Sequence, residues 1–490
     1  MPTRPRPVSY RCLAVAVFCL GFGANANAAK YDASLAVSPS VTFTDNICAR
    51  EGDKKSDFVG TATPSGRLSA KGRRASVNLT GHIQVNTLTN SQLRERGCGD
   101  VQSNPKRQQY KPKLRANGSV DVIRNALRVN FGVRADQNKV NSRFSGDEDP
   151  FDRTGNGNNY IRYNIAPNYS RRLQNIGMLN LRYSYDELIN EQNKGNDSVR
   201  QQVNVGLNGA GNSRFSWGVT ARHSEVEYKK PEESVNPRRD SELQSARLNL
   251  GYQWRRILGF NGNIGRDWNN LRNNRFGNDD LAWQLNLRWT PTRRTSVTLG
   301  SGDRFFGKTP RVQIKHKSNR GAFTLGYNKK ITFDRDLRTS DDGLLEDFGN
   351  NDTLDSRSPL IDERISLSYN HQGGSSNITI AGHFSEQTRT EDNQQGTFKN
   401  LGITYSPRIA SNYSLSFLLN WSENEPRQRT GVIDAPDNAS QVWTGSVTLS
   451  KPINNRLSSA FTYQYLDRTS DQNLGDYQEN RIVATLSISL

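Results

Sequence analysis

Leu281-Ala282-Trp283-Gln284-Leu285-Asn286-Leu287-Arg288-Trp289 carries a large apolar side chain at every odd position and a polar or small one between. A β-strand sends successive side chains to opposite faces, so this stretch has one apolar face and one wet face. Helical spacing would scatter the same apolar set around the axis. The pattern recurs along the chain. Val77, Leu79, Ile83 and Val85 alternate with Ser76, Asn78, Thr80, His82 and Gln84; Leu127, Val129, Phe131 and Val133 alternate with Arg128, Asn130 and Arg134. Leu248, Leu250, Tyr252 and Trp254 alternate with Arg247, Asn249 and Gln253, and Tyr413, Leu415, Phe417, Leu419 and Trp421 repeat the phase late in the chain.

Composition alone points the other way. Mean hydropathy is −0.79 and hydrophobic residues are 33%, values of a soluble or unfolded chain. The 17 Tyr, 19 Phe and 7 Trp nevertheless recur in phase with Val, Leu and Ile, which disorder does not explain. A barrel with lipid outside and water inside needs this combination, because averaging hides both faces. Connections alternate as well. Tight turns at Lys71–Arg74, Arg124–Asn125, Gln174–Gly177, Arg255–Leu258 and Asn454–Arg456 are separated by long polar stretches such as Asn46–Lys55, Leu88–Gln108, Asn138–Asn156 and Arg338–Leu360. Short periplasmic turns and long outer loops are the outer-membrane arrangement. The expected fold is an all-β transmembrane antiparallel up-and-down β-barrel of about 22 strands, within about 18 to 24. The strand starting at Tyr31 would close on the one ending at Leu490. TonB-dependent receptors carry a large N-terminal plug, and almost nothing precedes Tyr31 after the leader. No plug domain is therefore expected, and that family is set aside.

The leader is residues 1–28. Arg4, Arg6 and Arg11 form a basic region, Cys12 to Phe22 a short apolar core, and Ala24-Asn25-Ala26-Asn27-Ala28 a repeated small-residue cleavage pattern. The core is too short to span a bilayer. Cleavage after Ala28, with Ala26 as the second choice, leaves residues 29–490 as barrel. The formal charge of +18 falls by the three arginines of the leader. An exported chain meets no nucleic acid, so lipopolysaccharide and acidic polymers are the relevant anions. Cys12 and Cys19 leave with the leader. Cys48, in the loop after the first strand, and Cys98, in the loop after the third, then lie on the same side of the membrane and are expected to form a disulfide.

Two motifs invite chemistry. Gly302-Asp303-Arg304-Phe305-Phe306-Gly307-Lys308-Thr309 fits the phosphate-loop pattern letter for letter, but Pro310, Val312 and Ile314 continue as strand, where that motif needs a helix. A hairpin tip is expected. His383-Phe384-Ser385 is similar to the His and Ser of outer-membrane phospholipases and lipid A deacylases. Here Ile378, Ile380 and Phe384 take the lipid face, so His383 and Ser385 share the lumen face, with no third group evident to orient the His. No catalytic residue, cofactor or metal is expected. The inward phase instead collects Arg115, Arg128, Arg134, Arg162, Arg182, Arg200, Arg222, Arg247, Arg288, Arg304 and Arg364, with Arg67 beside them. Acids fall in loops such as Asp147–Asp149 and are scarce inward. Rings of arginine produce an anion-preferring pore. Arg128, Arg182, Arg247 and Arg288 are expected at mid-strand.

Pro39-Ser40-Val41-Thr42-Phe43-Thr44-Asp45-Asn46 resembles the opening strand of the PEP-CTERM system-associated outer membrane proteins, β-barrels encoded beside exopolysaccharide loci. The likeness continues through Ser56-Asp57-Phe58-Val59, Pro64-Ser65-Gly66 and Gly72-Arg73-Arg74. Phe43 stands where that family has Tyr, and Leu490 ends the chain where Phe is usual. The resemblance implies an outer-membrane conduit for exopolysaccharide, supplied by a periplasmic polysaccharide-export protein, with a basic lumen favouring anionic solutes. Its rivals are a structural or adhesive barrel that retains polysaccharide at the surface, and a lipid hydrolase. The expected surroundings are outer-membrane lipid, lipopolysaccharide and polysaccharide.

Overall fold

The computed structural model describes the chain from Lys30 to Leu490, except residues 53, 91–107, 140–156, 192–195, 210, 212–213, 230–239, 272–276, 340–352, 354–355, 357, 411, 427–438 and 472–475. The leader and Cys98 thus lie outside the described residues. The chain is almost entirely strand. In order it forms β1 (Lys30–Thr44), β2 (Asp57–Lys71), β3 (Ala75–Leu88), β4 (Gln108–Ile123), β5 (Leu127–Lys139), β6 (Gly157–Leu173), β7 (Gly177–Asn190) and β8 (Ser198–Gly209). There follow β9 (Phe215–Tyr228), β10 (Ser241–Arg255), β11 (Leu258–Asn269), β12 (Asp279–Thr292), β13 (Thr295–Arg304), β14 (Gly307–Lys308), β15 (Arg311–Lys317) and β16 (Gly321–Thr332). A short helix, α1 (Asp334–Arg338), precedes β17 (Leu360–Gln372), β18 (Ser376–Arg389), β19 (Gln395–Ala410), β20 (Tyr413–Pro426), β21 (Ser440–Pro452), β22 (Leu457–Ser470) and β23 (Tyr477–Ser489).

Sequential strands pair antiparallel, and β1 pairs with β23 from Ala36↔Ser489 to Thr44↔Arg481, which closes the sheet on itself. β14 is a two-residue stub at the tip of the β13–β15 hairpin, so 22 of the 23 described strands make the wall. That tip is the turn at Phe305-Phe306 inside the phosphate-loop-like segment, and no helix follows it. Closure matters physically, since an open sheet edge would leave backbone N–H and C=O groups unpaired in hydrocarbon. Asn125 and Asn175 take the left-handed conformation (φ 59° and 57°) in the tight turns before β5 and β7. Asparagine tolerates that region better than most side chains.

Directly opposite residues in an antiparallel pair share a face, which lets the register fix the two faces around the ring. Arg115↔Arg134↔Arg162 puts these three on one face, and Asn168↔Arg182, Asp186↔Arg200 and Asn204↔Arg222 continue it. Thr220↔Arg247, Gly265↔Arg247 and Gly259↔Arg288 carry it on to β12. The opposite face presents Leu281 at 61% and Leu285 at 57% exposure, with Trp254 and Trp289 beside the turns. A continuous apolar surface of this extent is stable only against lipid.

The outward face changes character at the loop-side rim. Glu187 accepts hydrogen bonds from the hydroxyls of Tyr163 and Tyr185 and pairs with Lys229. Lys329 pairs with Glu363 at 3.6 Å, and Lys399 with Glu423 and Glu425 at 3.2 and 3.3 Å. Charged groups on an outward face are tolerated near the membrane interface and not at its midplane.

The buried apolar clusters gather under the loops, away from the wall. Ile47 and Cys48 of the first loop pack on Val59 and Leu88, and Ala49 on Val442, Leu466 and Tyr477. Phe333 packs on Val226 and Tyr228, and Leu337 on Leu360 and Phe398. Each such side chain contributes about 1.5–3 kcal/mol when fully buried. They lie at the loop ends of the strands.

Candidate functional site: the loop-side mouth of the lumen

Phe333–Thr339 reads as ordinary polar loop, yet it lies inside the barrel. A five-residue helix is unstable alone, and α1 has no side-chain cap at Phe333. Arg338 Nε donates to Asp334 Oδ1 across one turn (2.6 Å), and Thr339 Oγ1 donates to the Arg335 carbonyl (2.7 Å). The remaining support comes from strands far away in sequence. Arg162 of β6 donates through Nε to Asp186 Oδ2 of β7 (2.8 Å) and through Nη2 to Asp336 Oδ1 (3.1 Å). Arg200 of β8 donates to Asp336 Oδ2 (2.6 Å), and Arg134 of β5 to the Thr339 carbonyl (3.1 Å). Arg335 donates to the Asp186 carboxylate, and its side chain is 1% exposed. Burial pushes the Arg335 guanidinium below its ordinary value, while Asp186 and Asp336 push it back up.

All eleven expected arginines fall on the lumen face by register, but their company differs from the expectation of a bare basic pore. Arg247 and Arg304 both donate to Asp267 at 2.7 Å, and Arg364 lies 3.4 Å from Asp362. Arg134 also holds Asp136 (3.1 Å). Inward carboxylates are therefore not scarce. Asp136, Asp186, Asp267 and Asp362 lie towards the loop ends of their strands, where the sequence pattern merges with loop acids. Clustered arginines inside a narrow mouth repel one another, and interleaved carboxylates offset that cost. Arg128 is the second residue of β5, at the turn-side rim, and is salt-bridged to Asp121 (2.6 Å); the mid-strand placement is corrected. Arg182 and Arg288 make no ion pair among the described residues. Arg222 donates to Gln202 (3.2 Å) and has no carboxylate partner there either.

His383 and Ser385 do share the lumen face, opposite Ser366 and Arg364. Ser385 Oγ donates to Asp362 Oδ1 (2.5 Å), and Nδ1 of the buried His383 has no partner. The hydroxyl is committed to a carboxylate, which is not the geometry of a nucleophile and its base. No group of three His, Cys, Asp or Glu among the described residues is placed to hold a metal. Cys48 is disulfide-bonded, and its expected partner Cys98 lies outside the described residues.

No protein family and no curated protein matches the sequence. Solved structures do match the fold. The siderophore receptor PirA from Acinetobacter baumannii superposes with a TM-score of 0.55 at 9% identity, covering 94% of this chain and 80% of the receptor. A double mutant of the ferric enterobactin receptor from Pseudomonas aeruginosa gives 0.53 at 9% identity, with 94% and 80% covered. The same receptor carrying a single mutation, solved with enterobactin, gives 0.53 at 10%, with 94% and 82% covered. Two expectations are corrected by these neighbours. The chain was set apart from the plug-bearing TonB-dependent receptors, yet theirs is the fold it shares. The residues before Lys30 lie outside the described residues, so the expectation of no plug domain is withdrawn. The exopolysaccharide conduit and its two rivals, the adhesive barrel and the lipid hydrolase, are replaced as well, because the matching folds are those of siderophore receptors. What the fold does establish is a closed 22-stranded antiparallel β-barrel of the outer membrane.

Proposed function

We propose that this chain is an outer-membrane uptake receptor that binds an anionic ferric chelate of the siderophore class at its loop-side mouth. The observation that carries the reading is the placement of α1 inside the lumen at its loop-side mouth, tied there by Asp186, Arg162, Arg200 and Arg335. A segment tied across the lumen obstructs free diffusion, and a ligand moves it only by binding its tied and released states differently. The fold likeness to siderophore receptors supports the same choice. Arg222 supplies a landing point, since it lies beside Arg200, Arg247 and Arg304 and lacks a carboxylate of its own. A polyanionic chelate would compete with Asp336 for Arg162 and Arg200, and so exchange the α1 contacts for its own.

The test is uptake of radioactive iron by an outer-membrane receptor-deficient strain expressing the full chain. Catecholate, hydroxamate and citrate complexes are supplied separately. Energy-dependent uptake of one class, reduced by Arg222→Gln, supports the reading. Uptake of none, with the barrel shown to be folded in the outer membrane, overturns it.

A further inference from the structure

The end of the barrel away from the mouth is strongly basic. Every tight turn there, except that between β17 and β18, holds arginine in the turn itself or on the strand ends beside it. Arg73, Arg124, Arg256, Arg293 and Arg456 stand in the turns, and all are exposed. None of them makes an ion pair among the described residues. The described acids at this end are Asp32 of β1 and Asp121 of β4, and Asp121 is engaged by Arg128 at 2.6 Å. The other described acids fall in the loop half of their strands or in the loops. The barrel is therefore polarised along its axis, with a basic rim where the turns lie.

The depth of this rim is fixed by its neighbours. Trp254 precedes the β10–β11 turn, Trp289 lies opposite Leu258, and Tyr413 opens β20, all exposed on the outer face. Tryptophan and tyrosine mark the level where hydrocarbon meets headgroup. Arg255 lies 5.2 Å from the Trp254 ring and Lys451 5.1 Å from the Tyr413 ring, so cations share that level. Some of the cations also face outward. Arg171 stands opposite Leu179, one step along from the outward pair Tyr169↔Leu181, and Lys451 lies two residues beyond the outward Leu449. A soluble protein does not reach a side chain set among lipid-facing residues.

We propose that the basic turn-side rim binds the phosphate headgroups of anionic phospholipids, in the leaflet that surrounds the short turns. A guanidinium fork matches a phosphate with two parallel hydrogen bonds. Long arginine and lysine stems let the charge reach the interface while their carbons cover apolar surface. The distribution of the cations selects the partner. They run around the circumference, and a leaflet meets all of it, whereas a docked protein covers an arc. Like charges on neighbouring turns repel one another, and anionic headgroups offset that repulsion. The rim and the aromatic side chains above it then hold the barrel at one depth in the bilayer. This role is independent of the ligand taken at the mouth.

The experiment measures lipid selectivity of the purified, refolded full chain in phosphatidylcholine vesicles, with spin-labelled phosphatidylglycerol or spin-labelled phosphatidylcholine as probe. Electron paramagnetic resonance gives the fraction of probe slowed at the protein surface. At low salt phosphatidylglycerol should associate about fivefold more strongly than phosphatidylcholine, the gain of one well-placed cation per headgroup. The preference should vanish at about 1 M salt, where the Debye length is about 3 Å. The combined variant Arg73→Gln, Arg171→Gln, Arg256→Gln, Arg293→Gln and Arg456→Gln should lose at least about half of it. Arg182→Gln with Arg288→Gln, on the lumen face, should keep all of it. Folding is checked by heat-modifiable migration. If the combined variant does not fold, Arg171→Gln with Lys451→Gln takes its place under the same direction of change. Equal association of the two lipids at low salt overturns the proposal and points the rim to an acidic soluble partner. Undiminished preference in the folded variant, or preference that survives high salt, overturns it as well.

Discussion

Asp186→Asn tests the closure at its most connected point. The carboxylate accepts from Arg162 (2.8 Å) and from Arg335, and both guanidinium groups are largely buried. Removing one partner of a buried pair costs about 3–5 kcal/mol, because the remaining charge is left uncompensated. Against this stand the apolar anchors of the segment, Phe333 and Leu337, which are 5% and 7% exposed. They contribute about 1.5–3 kcal/mol each, as an upper bound. Ordering the five residues of α1 costs about 1–2 kcal/mol per residue, more than that apolar gain supplies. The ion pairs therefore decide whether the segment stays in, and losing about 3–5 kcal/mol shifts the closed-to-open ratio by about a hundredfold to a few thousandfold. The backbone ladder between β6 and β7 is untouched, so α1 should leave the lumen while the strands stay paired. Planar-bilayer recording of the full chain should show frequent open events in the variant and few in wild type. Trypsin added from the loop side should cut at Arg335 or Arg338 in the variant alone. Unchanged conductance and unchanged cleavage, together with a lowered unfolding temperature, would refute the reasoning, since Asp186 would then support the wall and not the closure.

Face assignment is tested by a neighbouring pair: Leu285→Arg should destabilise the barrel by about 2–4 kcal/mol in denaturant titrations in lipid, whereas Gln284→Arg should change little. Cys48→Ser should lower stability by about 2–4 kcal/mol in the same titration, and thiol labelling of the denatured, unreduced wild type should leave Cys48 unmodified. A fluorophosphonate probe should fail to label Ser385, whose hydroxyl donates to Asp362; stoichiometric labelling would reopen a hydrolytic role. Arg222→Gln should leave the bilayer conductance of the resting protein unchanged, because its contact is with Gln202 and not with α1.

Which residues meet lipid was legible in the sequence because period two is a local property. Leu281, Leu285 and Trp289 declare their face without knowledge of any partner. The long-range part was not legible. Nothing in Phe333-Asp334-Arg335-Asp336-Leu337-Arg338 distinguishes it from a solvated loop, and its partner Asp186 is 149 residues away from Arg335. Counting inward arginines overstated the lumen's field for a related reason. Asp267 and Asp362 lie where strand pattern gives way to loop; only the register shows Asp267 beside Arg247, whereas Asp362 stands two residues before Arg364 on the same face of β17. Arg128 and Asp121 face each other across the tight turn before β5, a pairing that needs the exact end of the strand. The separation from receptor barrels rested on the residues before Tyr31, whereas the likeness lies in the wall itself.

A ring of 22 strands is a soft hoop: nothing in a single-layer wall resists flattening except the bending of the sheet. α1 changes that mechanics. It leaves the wall after β16 and is tied by Phe333 to β9, by Asp336 and Arg335 to β6, β7 and β8, and by Leu337 to β17 and β19. Those anchor points lie on well-separated arcs, so the segment spans the ring as a cross-brace. Cutting one tie slackens the rest, and the outline of the ring can then change together with the opening at its centre. Roundness and the position of α1 are in that sense one mechanical state.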